Sequence, residues 1–79
     1  MKLVEGEHPV LHLTRAEAMY VAGWAGCSLG QFLAVRNGEV CLLPTGSKLY
    51  VTRHGAVAHY SVRGYTGTDV RDIARKLES

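Results

Sequence analysis

The sequence predicts one α+β domain in which two short helices meeting at a tight turn precede a three-stranded antiparallel β-meander and a C-terminal amphipathic helix. Three observations predict it. Thr14 and Glu17, then Ser28 and Gln31, repeat the three-residue spacing with which a hydroxyl and an acid or amide cap a helix start. From Glu39 to Arg63 the apolar period changes to two, as strands require. Val70, Ile73, Ala74 and Leu77 then form an i, i+3, i+4, i+7 stripe.

At the start, the apolar runs Leu3-Val4 and Val10 to Leu13 are separated by Glu5, Gly6, Glu7 and Pro9. The second run reads as a short N-terminal strand, since proline holds the residue before it in extended conformation. A helix begins near Arg15, after the Thr14 cap, and Gly26 interrupts its apolar pattern. The break spans Gly23 to Cys27, and a second helix is expected over about Leu29 to Arg36, ended by Gly38 in a left-handed conformation. "PTGS" from Pro44 to Ser47 predicts a turn, and His54-Gly55 a two-residue hairpin loop. Pairing across that loop sets Val51 opposite Ala58 and Leu49 opposite Tyr60. The other face then carries Lys48, Tyr50, Thr52, Val57, His59, Ser61 and Arg63. In "GYTGT" the glycines predict a turn, with Thr68 capping the last helix, Asp69 and Asp72 in its first turn, and Arg75 and Lys76 near its end.

Length and composition bound what this chain can be. Its 79 residues hold one domain, residues 1–79, and a chain this size buries only about 60% of its extended surface, so dimerisation would help it. Hydrophobic residues at 47% against 20% charged exclude a disordered tail. Nine Lys and Arg against seven Asp and Glu give a net charge of +2, a weak lean toward polyanions to which four histidines add as pH falls. With two cysteines and neither a signal peptide nor a membrane span recognisable, a reduced cytoplasmic setting is expected.

The residues around the helix break carry the most specific pattern. Ala22, Gly26, Phe32 and Val35 follow at intervals of four, six and three, flanked by Val21, Ala25 and Cys27. This resembles the helix-turn-helix unit, in which a small residue lets two helices approach and a glycine takes positive φ in the turn. Over about residues 18–38, "VA..AG.S" at Val21 to Ser28 and "V.N" at Val35 and Asn37 resemble the lactose-repressor family, with no repressor core following. The hairpin that comes next is similar to those of small phage regulators of the Cro kind, and of excisionase-like or winged-helix proteins.

The resemblance implies a small DNA-binding transcriptional regulator, encoded by a phage or mobile element and acting on double-stranded DNA as a homodimer. Its second helix would lie in the major groove. The base-reading positions then fall on Ser28, Leu29, Gly30, Leu33, Ala34 and Asn37, with Gln31 and Arg36 beside them. Lys48, Arg53, His54 and Arg63, joined by Tyr50, would form a wing against phosphates. Leu29, Gly30, Leu33 and Ala34 bring no hydrogen bonds to base edges, so a helix this apolar equally suits a host protein, and an inhibitor or adaptor on the same scaffold is the alternative. Gly30 has no evident reason to stand inside a helix, where it costs about 1 kcal/mol relative to alanine.

Other chemistries find less support. His54 and His59 have a zinc-finger spacing, yet the close cysteine pair such sites need is missing, and Cys27 and Cys41 read as buried structural thiols. No residues form a nucleophilic set, so neither catalysis nor a cofactor is expected. Tyr20 and Trp24, four apart on the first helix, are either core or an interface anchor.

Overall fold

A computed structural model describes residues 1–64 and 67–78 of the chain. Its elements are β1 (Lys2–Val4), β2 (Val10–Leu13), α1 (Arg15–Trp24), α2 (Leu29–Ala34), β3 (Gly38–Leu42), β4 (Lys48–His54), β5 (Val57–Arg63) and α3 (Gly67–Glu78). The strands form one antiparallel sheet of five, in the order β1-β2-β5-β4-β3. The expected three-stranded meander after a helix-turn-helix is therefore corrected: strands predominate, and the N-terminal hairpin β1-β2 extends the meander along β5. Leu11 opposite Val62 and Leu13 opposite Tyr60 make that junction.

Both capping boxes are present. The Thr14 N–H donates to Glu17 Oε1 at 2.8 Å while the Glu17 N–H donates to Thr14 Oγ1 at 3.2 Å, and Ser28 and Gln31 repeat the exchange at 2.9 and 3.2 Å. Between them α1 ends in a Schellman closure, with the Cys27 N–H on the Ala22 carbonyl at 2.9 Å and the Gly26 N–H on the Gly23 carbonyl at 3.1 Å. Gly26 makes this possible at φ +75°, a value that side chains resist. Helix α2 stops at Ala34, two residues short of the expected Arg36, because Val35 is already extended. Gly38 has positive φ but opens β3 instead of closing the helix. Helix α3 begins at Gly67, so Thr68 lies within its first turn and is not its cap. The rest of the expected "GYTGT" turn, Tyr65 and Thr66, lies outside the described residues.

The β4-β5 loop is Gly55-Ala56, with His54 paired to Val57, so Val51 faces Tyr60 and Leu49 faces Val62. The register is two residues from the expected one. Gly55 takes φ +63° at the first loop position and Ala56 has no positive φ, the pattern of a II′ turn whose twist suits a hairpin. A shift of two preserves side-chain parity, so each residue keeps its expected face.

One face of the sheet is covered. Leu11, Leu13, Leu49, Val51, Tyr60 and Val62 share it and form a single core with Ala18, Val21 and Ala22 of α1, Phe32 of α2, and Val70, Ile73 and Ala74 of α3. All three helices thus pack on the same side. Phe32, 3% exposed, stacks on Tyr60 with ring centroids 5.2 Å apart, and is the buried side chain by which α2 is held to the sheet. Glu5 in the β1-β2 loop accepts from Arg71 of α3 through both oxygens, at 3.1 and 2.9 Å, joining the two ends of the chain on the surface.

Four substitutions check these features. Phe32→Ala should lower the unfolding free energy by about 3 kcal/mol in urea titration, through the cavity left beside Tyr60. Gly64→Ala should cost about 1 kcal/mol, since its Cβ would stand 2.9 Å from Oγ of the fully buried Ser47, whereas Gly30→Ala should gain up to about 1 kcal/mol because nothing approaches closer than Ser28 Oγ at 4.0 Å. The Glu17 carboxyl is held below its ordinary value of 4.5, chiefly by the Thr14 N–H. Its lowered folded value means a contribution present above the unfolded value and lost as pH falls through the folded one. The stability gap between wild type and Glu17→Gln should therefore close on acidification, and a gap that widens would contradict the assignment.

Candidate nucleic-acid interface

The residues singled out by the sequence fall on two opposite surfaces. Ser28 to Asn37 lie in the helical layer. There the Ser28 hydroxyl and the Gln31 carbonyl oxygen are engaged in the cap, and Asn37 Oδ1 accepts the Arg53 N–H at 3.0 Å. Leu29 and Leu33 are 56% and 45% exposed, Gly30 and Ala34 add no polar group, and Arg36 stands exposed in the loop before β3. Arg53 belongs to this side as well. It shares side-chain parity with Val51 on β4, and its Nε is buried without a hydrogen-bond partner.

Lys48 and Arg63 lie on the other side of the sheet: Lys48 is five positions from Arg53 along β4, and Arg63 is five positions from Ala58, the cross-strand partner of Arg53, so both have the opposite parity. They are direct cross-strand partners. This splits the expected wing, because the covered and uncovered faces are separated by the sheet itself. In the uncovered face, one row across the strands runs Lys2, His12, Ser61, Tyr50 and Glu39, and the next runs Val4, Val10, Arg63, Lys48 and Leu42. His59 pairs with Thr52 and Val57 with His54 beyond them, and the His54 and His59 rings are 5.8 Å apart.

Around the Lys48–Arg63 pair the face is hollowed into a cleft of about 260 Å³, lined also by His8, Tyr50, Gly46 and Gly64. Two local features shape it. The Pro44-Thr45 turn closes with the Gly46 N–H on the Leu43 carbonyl at 2.9 Å and Gly46 at φ +94°, and Gly64 closely approaches Ser47. The Arg63 guanidinium carbon lies 5.7 Å from the Tyr50 ring centroid, so a cation stands over an aromatic face. The Lys48 ammonium is 3.4 Å from Glu39, an exposed pair of the kind that contributes little and exchanges readily. All four histidines of the chain belong to this side: His12, His54 and His59 by register, and His8 at the cleft.

A second exposed surface is apolar. Met19 of α1, 39% exposed, lines one hollow with Leu29 of α2 and another with Tyr20, which is 69% exposed, and Leu33 of α2 is exposed as well. Tyr20 is thus not core, whereas Trp24 is half-buried against the core with the Lys76 ammonium 4.3 Å over its ring. Among the described residues no three ligating side chains are grouped for a metal ion, and no helix is long and apolar enough to cross a membrane. No protein-family model matches the chain, and neither does a curated protein or a solved structure.

Sequence reasoning missed Lys2, His8 and His12 as members of the uncovered face. The signal was present in part: Val10 to Leu13 alternate, with Leu11 and Leu13 buried and His12 exposed. What no local pattern states is that this strand lies beside β5, which is what brings His12 into the row of Ser61 and Tyr50.

Proposed function

We propose that this chain is a small nucleic-acid-binding regulator, without catalytic activity, that works in the cytoplasm and takes a single strand on the uncovered sheet face. One observation carries the reading: Lys48 and Arg63 stand side by side across two strands, with an aromatic ring, Tyr50, in the same cleft. Adjacent cations pair with successive phosphates, and a ring beside them gives a base something to stack on. The dimensions favour a single strand over a duplex. Five strands extend about 19 Å across, too broad for a major groove of about 12 Å.

Double-stranded DNA held by α2 is the other nucleic-acid reading, supported by the resemblance of residues 18–38 to helix-turn-helix units and by two capped helices joined at Gly26. Against it stands the shortage of free hydrogen-bonding groups on a helix of six residues. A protein partner, either a second copy or a host protein, is favoured by the exposed Met19, Tyr20, Leu29 and Leu33. Sedimentation of wild type and Leu33→Asp separates the homodimer from a monomer.

Fluorescence anisotropy with labelled oligonucleotides tests the leading reading. A mixed-sequence single strand should bind with a logarithmic salt slope that Arg63→Ala and Lys48→Ala each reduce by about 0.7, while Tyr50→Ala weakens binding by about 1–3 kcal/mol without changing the slope. Tighter binding of the duplex, sensitive to Arg36→Ala and not to Arg63→Ala, would move the site to α2. Absence of binding to either at low ionic strength would overturn both.

A further inference from the structure

Cys27 and Cys41 are 14 residues apart in sequence and come from different elements, the turn before α2 and the edge strand β3. Both line one cleft, of about 510 Å³, between that turn and β3. Cys41 shares parity with Leu49 and therefore faces the helical layer. Burial pushes the Cys41 thiol up to about 11, with the neighbouring Cys27 thiol and the Glu39 carboxylate adding to it, while the Cys27 S–H donates to the Ser28 carbonyl at 3.6 Å. Both thiols are free and half-buried, and the cleft is open to a small reagent on the side lined by Gly26, Gln31 and Leu42.

We propose that Cys27 and Cys41 form a dithiol modification site that takes a small-molecule disulfide as oxidant and closes to an intramolecular disulfide. In the first step the Cys27 thiolate attacks one sulfur of the reagent, forming a mixed disulfide and releasing one small thiol. In the second the Cys41 thiolate attacks the Cys27 sulfur, the second small thiol leaves, and the protein disulfide remains. Two protein thiols are oxidised, one external disulfide is reduced, and the two thiol protons pass to the released thiols. The order follows from the chemistry, since the harder-to-ionise Cys41 is the poorer first nucleophile and acts once its partner is attached beside it. Closure ties the turn that sets α2 to the sheet edge, and so fixes the helical layer at a point the Phe32–Tyr60 stack does not reach. The site lies on the side opposite Lys48 and Arg63, and does not depend on what that face binds.

The whole chain incubated with oxidised glutathione, then trapped with acid and analysed by intact mass, decides the matter. The expected product is a monomer lighter by two hydrogens that no longer alkylates, with a thermal midpoint raised on the order of 10 °C over the reduced form. Cys41→Ala should stop at the glutathione adduct on Cys27, and Cys27→Ala should react at least tenfold more slowly than wild type. A wild type that stops at the adduct, cross-links between chains, or closes with no change in midpoint or a lowered one would overturn the proposal. Should Cys41→Ala fail to fold, mass and midpoint of the wild type with and without reductant carry the test alone.

Discussion

The structure depends on the pairing of β2 with β5. Those four residue pairs, Val10 to Leu13 against Arg63 to Tyr60, join the beginning of the chain to its end and convert a meander of three strands into a sheet of five. Their buried members, Leu11 and Val62, are fully enclosed, and Leu13 and Tyr60 nearly so. Because β2 leads directly into α1, its position dictates where the helices start. The path from β2 to β3 must then cross the sheet, and α1 and α2 make that crossing on one face. Helix α3 follows β5 and packs beside them, reinforced at the surface by the Glu5–Arg71 pair.

With every helix on one side, the other side of the sheet has no cover among the described residues. A short chain has apolar side chains enough for one core, and the opposite parity positions carry Lys2, His12, Lys48, Tyr50, His59 and Arg63 beside a minority of aliphatic residues, Val4, Val10, Leu42 and Val57. Solvation alone would explain scattered polar groups there. It does not explain why Lys48 and Arg63 stand directly opposite one another or why all four histidines gather on this side and none in the helical layer. The same division of labour separates the molecule's two surfaces by charge, basic on the sheet and uncharged on Met19, Tyr20, Leu29 and Leu33.

Much of the local structure was legible in the residues because it is decided locally. The Thr14–Glu17 and Ser28–Gln31 exchanges need only a three-residue spacing, Gly26 only a turn, and the α3 stripe only its period. The hairpin's faces were legible and its register was not: parity survives a shift of two, and the loop position was settled by where Gly55 can place its positive φ. Long-range pairing was not legible at all. A four-residue strand with Pro9 before it does not announce its neighbour, and so the five-stranded sheet was read as three. The candidate site suffered in proportion. Lys48, Arg63 and Tyr50 were visible as one side of a hairpin, but assigning Arg53 to the same wing ignored its odd offset from Lys48, and His8, His12 and Lys2 reach the face only through β2. Gly30, for which the sequence offers no reason, has none within the fold either, since a side chain there would meet only Ser28 Oγ at 4.0 Å.

Backbone amide chemical shifts, followed as an unlabelled single-stranded oligonucleotide is added to the isotopically labelled protein, test the central claim most directly. The account predicts perturbations concentrated on β4, β5 and β2, strongest at Lys48, Tyr50 and Arg63 and extending to His12, with the amides of Leu29 to Ala34 unmoved. Shifts confined to Ser28 through Asn37, or none at low salt, would contradict it.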